Sequence, residues 1–468
     1  MIPDSRHIAH TILIDSELNK LVLDQSLEKF SKNLDKLSNK DRALTNSIIF
    51  GTLRFRARLD WTIQSFSDKK ISHLDLKVLW ALRIALFQIM FMDRIPVSAA
   101  VNTAVNIVKI EAGKGPANFT NAVLRKASVN YSAIKLPDKK KDPALFLSIE
   151  KSMPLWLLKR WIKNYGLKKC ADLCDIINTV PRITIRANTL KTDRKNLLKL
   201  IKNDVKNPII TKHAPDGISF TNPVIPINQT NSFNQGLFQV QDQAAQITTI
   251  LLDPQPNETI LDACAGNGGK TAHAAQLMLN KGKIIATDTS GKRLLNLKRE
   301  IKRLSLDIIE IKQTNILKYN DKSFDKAFDK VLLDAPCTGL GVLRRNPDSK
   351  WNKTHKDIKR LAAKQKRLIL KAAQFVKPGG VLVFSVCSSE KEENENIIKD
   401  FLEHNNNFII DKNIQNPCNQ YLTDNKNKPL FDNSFFTKQG FFKSFPNAPY
   451  MDGFFVARLI NTNKQKNK

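Results

Sequence analysis

The stretch "ETILDACAGNGGKT", residues 258–271, decides how this chain folds. A short apolar run ends at Leu261, glycines crowd the turn that follows, and a helix-length segment opens near Thr271. A strand, a tight turn and a helix N-terminus in that order aim backbone N–H groups at an anionic ligand. Three further runs repeat the theme: "GKIIATD" (282–288), "KVLLDAPC" (330–337) and "GGVLVFSVC" (379–387) are continuous apolar strands separated by helix-length segments. That pattern predicts an α/β, Rossmann-like domain with a parallel sheet covered on both faces.

The turn fits neither of two familiar nucleotide motifs. A P-loop needs glycine where the chain has Cys264, and a G-x-G-x-x-G fingerprint starting at Gly266 needs glycine where it has Thr271. What remains is a glycine turn with Asp288 at the end of the next strand, where a carboxylate accepts hydrogen bonds from both ribose hydroxyls. This suits a nucleoside without phosphates, such as S-adenosylmethionine, whose methionine carboxylate would take the N–H groups of the turn. A purely structural turn beside an unrelated strand-end acid is the competing reading.

Outward from this domain the chain reads as three segments. Residues 1–135 are helical almost throughout, with apolar positions recurring at three and four in "SLEKFSKNLDKL" (26–37) and "KVLWALRIALFQIMFM" (77–92). The linker "KLPDKKKDPAL" (135–145) combines two prolines with a basic run. Residues 145–232 mix a helix in "PLWLLKRWIKNYG" (154–166) with short β-branched runs, "RITIRANTL" and "NPIITK", and predict a small α+β module. Residues 233–462 carry the α/β pattern, and the tail "NTNKQKNK" has the composition of a disordered end.

The chain has 468 residues, 42% hydrophobic, enough for several cores. Its 75 Lys and Arg against 44 Asp and Glu leave a formal charge of +31, spread along the chain, which points to a polyanionic partner such as nucleic acid, with a Lys- and Asn-rich genome bias as the competing reading. Six cysteines without regular spacing do not make a disulfide framework, so a reducing compartment and a cytoplasmic protein are expected. Cys170 and Cys174 share a helix face as packing residues, and no metal site is expected. The longest apolar stretch is too short to span a bilayer and contains Arg83 and Gln88.

Two other cysteines stand at strand ends. Cys337 follows "VLLDAP", and Cys387 sits in "FSVCSSEKEENE" (384–395); both could be buried packing residues, but small polar residues after each would open the sulfur to a cleft. Between them, Arg344, Arg345, Lys350 and Trp351 in "LRRNPDSKW" suit phosphate contact and base stacking, with a core position for Trp351 as the alternative. Arg186 and Asn188 are further candidates for orienting RNA. Lys270 at the helix start would favour a nearby thiolate, with a solvated surface lysine as the equal alternative.

Taken together, these motifs resemble the RNA cytosine-C5 methyltransferases, and among them the RsmB/Sun type. "DRALTNSIIFGTLR" (41–54), "RIALFQIMFMDRIPVSAAVNTAV" (83–105) and "ANFTNAVLR" (117–125) look like its NusB-like RNA-binding domain, and "RITIRANTLK" (182–191) is similar to the small domain before the catalytic one. "DACAGNGGKT", "LLDAPCTGLGVLRRNPDSKW", "FSVCSSEKEEN" and "MDGFFVARL" look like successive catalytic motifs. The resemblance implies S-adenosyl-L-methionine bound by Cys264, Ala265, Gly266, Asn267, Gly268, Gly269, Lys270, Asp288, Asn315 and Asp334. It implies Cys387 as the nucleophile, Cys337 in product release, Asp334 between base and cofactor, and a cytosine of 16S ribosomal RNA as substrate of a monomeric enzyme. DNA cytosine methyltransferases use a Pro-Cys thiol resembling Cys337 for the attack itself. The chain departs from the family pattern at Gly266 and Asn267, at Val386 where threonine is usual, and at Asn315 where an acid is expected. Methylation of transfer RNA or of another ribosomal site, and a catalytically silent assembly factor, are the alternative functions.

Overall fold

The computed structural model describes residues 4–419, 433–445 and 450–463. By packing, the chain forms two compact units: Met1–Val180 with Leu343–Lys353, and Pro181–Val342 with Thr354–Lys468.

The first unit is built from helices. Leu76–Phe91 is its axis, with every residue from Val78 to Gln88 buried, as a helix apolar on all sides requires. Ser5–Leu18, Asn39–Arg54, Val97–Ala112 and Lys114–Asn130 pack around it. Each fully buried Leu, Ile or Phe there contributes about 1.5–3 kcal/mol relative to exposure. Arg83 is charged within this apolar run, and it is covered: Nε and Nη2 donate to the two oxygens of Asp60 at 2.6 and 2.9 Å, and the guanidinium lies over the Trp80 ring at 4.6 Å. Helices Pro143–Glu150, Leu155–Tyr165 and Leu167–Asn178 also belong to the unit. Cys170 and Cys174 are both fully buried in it. Among the described residues no helix is long and apolar enough to cross a membrane.

Residues 343–353 also belong to this unit, which corrects the expected RNA-contact role of Lys350. Lys350 is 1% exposed, and its Nζ donates to Arg54 O at 3.2 Å, Ser152 O at 3.4 Å and Asn178 Oδ1 at 2.7 Å. Trp351 takes its core alternative: it is half-buried against the apolar cluster of Leu13, Leu53 and Trp80, and Nε1 donates to Leu53 O at 2.7 Å. Nearness to Asp334 in sequence does not carry over into packing.

The second unit holds two sheets. Strands β1 (Ile183–Ala187), β2 (Lys206–Ile210), β3 (Gly217–Thr221) and β4 (Phe238–Val240) form an antiparallel sheet in the order β2-β3-β1-β4. The larger sheet contains β5 (Thr259–Asp262), β6 (Lys283–Asp288), β7 (Ile309–Gln313), β8 (Phe328–Asp334), β9 (Val376–Val386), β10 (Phe408–Ile410), β11 (Phe442–Lys443) and β12 (Phe455–Asn461). Its order is β10-β12-β9-β8-β5-β6-β7, with β11 beside β12. The five strands from β9 to β7 are parallel. Alternate residues of the central strands enter different apolar clusters: Val331, Leu333 and Phe384 join Phe328, Phe375 and Phe401, whereas Leu332 and Val383 join Ile247, Leu251 and Met278. Both faces are therefore covered, as expected. The sheet is nevertheless mixed, because β12 runs antiparallel between β9 and β10; the helix Glu395–Glu403 and β10 lie between β9 and β12 in the chain, so an alternation of strand and helix does not reveal the reversed direction.

Arg186 and Asn188 are likewise structural, not RNA-facing. Arg186 is 1% exposed and donates to Gln276 Oε1 at 3.2 Å, Gly269 O at 3.2 Å, Gln239 Oε1 at 3.0 Å and Gln241 Oε1. Burial lowers its pKa to about 9. Asn188 Nδ2 donates to Gly236 O and Leu304 O, both at 3.0 Å. These bonds tie β1 to the helices Gly269–Leu277 and Gly291–Leu304 of the larger layer.

Candidate active site

Strand order fixes where a site can form. From β5 the sheet continues to β6 and β7 on one side and to β8 and β9 on the other, so helices leave on opposite faces and a crevice opens at the carboxyl ends. Asp262 ends β5, Asp288 ends β6, Asp334 ends β8, and Cys387 follows β9. A cavity of about 530 Å³ lies there. Of the residues singled out in the sequence, Cys264, Ala265, Gly266, Asn267, Gly269, Lys270, Asp288, Asn315, Asp334, Cys337 and Cys387 line it.

Gly268 is not in the wall. Its φ of +81° is left-handed, and a Cβ on it would stand 2.1 Å from Leu297 Cδ1, so it lets the turn pack against the helix Gly291–Leu304. The helix after the turn starts at Gly269, earlier than Thr271, which makes Lys270 one of its first residues. Asp288 is oriented by two backbone donors: Gly266 N reaches Oδ2 at 3.0 Å and Ser290 N reaches Oδ1 at 2.8 Å. Each carboxylate oxygen keeps a lone pair for a further donor. Asn315 is exposed and caps its own turn, Oδ1 accepting from Leu317 N at 3.1 Å.

The charge balance rests on Lys270 and Asp334. Lys270 Nζ donates to Asp334 Oδ2 at 2.6 Å and lies 5.1 Å from the centre of the Phe454 ring, while Ser385 Oγ donates to Asp334 Oδ1 at 2.7 Å. Burial opposes the ammonium, but Asp334 outweighs it and holds the Lys270 pKa above the ordinary lysine value. Cys337 Sγ and Cys387 Sγ are 3.3 Å apart. The hydrogen bond between them, with burial, pushes the Cys337 thiol well up, so this sulfur keeps its proton. Burial also pushes the Cys264 thiol up. Two adjacent thiols, one held protonated and the other beside a cationic lysine, can divide proton donation and nucleophilic attack between them.

Three wall or near-wall carboxyl and amide groups escape sequence reading. Asp262 is 2% exposed; Thr271 Oγ1 donates to its Oδ2 at 2.7 Å, its Oδ1 has no partner, and burial raises its pKa to about 7. Its place at the head of the glycine turn was the available signal. Glu393 and Gln365, both fully buried, contact the loops that carry Cys337 and Cys387. Glu393 is one of several acids after Cys387, and nothing in their spacing selects it.

A glycine turn and three strand-end carboxylates around one cavity of a doubly wound sheet define a Rossmann-like methyltransferase domain. Residues 249–460 match the family described as 16S rRNA methyltransferase RsmB/F, residues 3–128 the NusB family, and residues 153–227 the ferredoxin-like domain of the RsmF/B-like methyltransferases. The chain is 33% identical to a probable ribosomal RNA small subunit methyltransferase B of Bacillus subtilis (strain 168), over 97% of its own length and 98% of the relative's. It is 32% identical to the ribosomal RNA small subunit methyltransferase B of Proteus mirabilis, over 86% and 94%. Among solved structures, PH0851 superimposes with a TM-score of 0.79 at 26% identity, covering 98% of this chain and 99% of that one. A methyltransferase homolog protein from Pyrococcus horikoshii gives 0.56 at 27%, covering 68% and 99%. The chain belongs to the ribosomal RNA small subunit methyltransferase B family, with a NusB helical domain, a ferredoxin-like domain and a methyltransferase domain in that order.

Proposed function

We propose that this protein methylates carbon 5 of a cytosine in 16S ribosomal RNA, with S-adenosyl-L-methionine as methyl donor and Cys387 as a transient covalent nucleophile. The observation that carries the reading is the 3.3 Å approach of two thiols at the rim of a cavity that also holds the Lys270–Asp334 pair, the glycine turn and Asp288. The cavity residues fit the donor: the turn offers amides at a helix start, Asp288 keeps lone pairs for ribose hydroxyls, and Asp262 Oδ1 is an unused acceptor in the wall. When bound, the sulfonium supplies an electrophilic methyl group.

Carbon 5 of cytosine is a weak nucleophile. Attack of the Cys387 thiolate on carbon 6 forms a C–S bond and places an electron pair on carbon 5, to which the bound donor would give up its methyl group, leaving as a neutral thioether. Lys270 supplies positive charge beside Cys387, and Asp334 is placed to accept from the amide edge of the base. After transfer a water molecule takes the proton from carbon 5, the electron pair of that C–H bond re-forms the carbon 5–carbon 6 double bond, and the C–S bond breaks with its pair returning to sulfur as the thiolate. Cys337, next to the leaving sulfur, serves this last stage. The base must leave its stack to enter the cavity, which favours an unpaired RNA segment. The net charge of +31 supports an electrostatic approach to RNA, and the NusB domain is proposed to select the site. The enzyme is proposed to act as a cytoplasmic monomer.

A denaturing gel tests the assignment. Cys337→Ala should accumulate a slow-migrating protein–RNA adduct and Cys387→Ala should form none; the opposite pattern exchanges the two roles. Bisulfite sequencing of ribosomal RNA from a deletion strain identifies the base.

A further inference from the structure

Glu393 lies behind the cysteines, outside the cavity wall. It is fully buried, and its carboxylate is shared between the two cysteine loops. Oε1 accepts from Thr338 N at 2.9 Å and from Gln365 Nε2 at 3.2 Å. Oε2 accepts from both the Thr338 and Ser388 hydroxyls, which themselves lie 3.3 Å apart. Thr338 follows Cys337 and Ser388 follows Cys387. Gln365, on the helix His355–Ala373, also donates to Pro336 O at 3.0 Å, so the residues on both sides of Cys337 are held by one network. A second tie runs through Gly341, whose N donates to Cys387 O at 3.0 Å and whose O accepts from Gly453 N at 2.8 Å. A Cβ on Gly341 would stand 2.0 Å from Gly453 O, so the contact admits no larger residue.

A buried carboxylate with no cationic partner among these contacts is costly unless its lone pairs are filled. The four donors around Glu393 fill them, and they come from three separate elements. Ordinary packing needs no such group at this position, since an apolar side chain would bury at lower cost. We infer that Glu393 is a positioning residue for the reaction, clamping the Cys337 and Cys387 loops so that the two sulfurs stay within contact of each other. Resting on the two-thiol reading above, this adds the element that sets the thiol spacing. Glu393 acts through Thr338 and Ser388 and touches no substrate.

The spacing can be read without catalysis, as the rate at which diamide oxidises Cys337 and Cys387 to an intramolecular disulfide in the full-length protein. Glu393→Ala should slow that oxidation and lower kcat, each by about tenfold or more, while KM for RNA and the affinity for S-adenosylmethionine change by less than about twofold. Glu393→Gln, which can still bridge two hydroxyls, should recover most of both. Thr338→Val and Ser388→Ala each remove one hydroxyl and should give smaller losses in the same two readouts, which covers the case of an unfolded alanine variant. Wild-type oxidation in folded Glu393→Ala, or loss of cofactor affinity in step with kcat, would overturn the inference. Diamide oxidation does not depend on which cysteine attacks RNA, so an error in the nucleophile assignment leaves this result readable.

Discussion

Lys270 and Lys350 make an instructive pair: one is mostly and the other fully buried, each in a different unit, with opposite electrostatics. Lys270 has a carboxylate at 2.6 Å, and its pKa rises despite burial. Lys350 donates only to two carbonyls and an amide oxygen, and burial, with repulsion from Arg54, lowers its pKa to about 7. Burial alone does not decide whether a lysine is a cation; its partner does. The first is thus suited to holding charge beside a thiol, and the second to filling hydrogen bonds between helices.

The strongest way to break this contrast is Lys270→Met. It removes the cation and leaves Asp334 with only the Ser385 hydroxyl, so kcat for methyl transfer should fall by about 10²–10³-fold, in single-turnover assays at saturating RNA. A fall of less than threefold would place Lys270 outside the chemistry. Asp288→Ala sharpens the picture on the cofactor side: loss of a hydrogen-bonding carboxylate in the wall should weaken S-adenosylmethionine by about 1–3 kcal/mol in calorimetry, with the fold intact. Unchanged affinity would move the ribose elsewhere.

Lys350→Met should have the smallest effect on turnover, within about twofold, because its contacts are structural. Its signature is in stability. Lys350 binds its proton less readily in the folded chain, at about 7, than the ordinary lysine does at 10.5. Between those values the unfolded state holds more protons, so this group makes stability rise with pH, and its penalty is complete below about 7. Urea unfolding at pH 7 and pH 9.5 should show a steeper gain for wild type than for Lys350→Met. Parallel curves for the two proteins would mean the lysine is not desolvated as described.

Much of the site was legible because it follows strand ends. Asp288, Asp334, Cys337 and Cys387 each close an apolar run, and a parallel sheet brings such ends to one edge whatever lies between them. Residues read from sequence neighbourhood fared differently. Lys350 follows Asp334 within the same motif yet packs among helices, and Arg186, on a strand of the smaller sheet, is used up in joining layers. A basic side chain looks the same in sequence whether its donors meet phosphate or backbone oxygen. Glu393 was hidden for a related reason: a buried acid is recognised by the donors around it, and Thr338 and Gln365 lie 55 and 28 residues away in the chain.

The antiparallel strand β12 has a consequence for the order in which the protein is made. Phe455–Asn461 pairs along β9, and Phe455 stands opposite Val386, next to Cys387. A growing chain on the ribosome presents both cysteines, the glycine turn and all five parallel strands well before residue 455 is synthesised. Until then β9 is an unpaired edge, open to association with other strands. The strand that leads to Cys387 is closed on its outer side only when one of the last described segments arrives, so translation that stops short of it yields a chain with every cavity cysteine and no finished sheet to hold them.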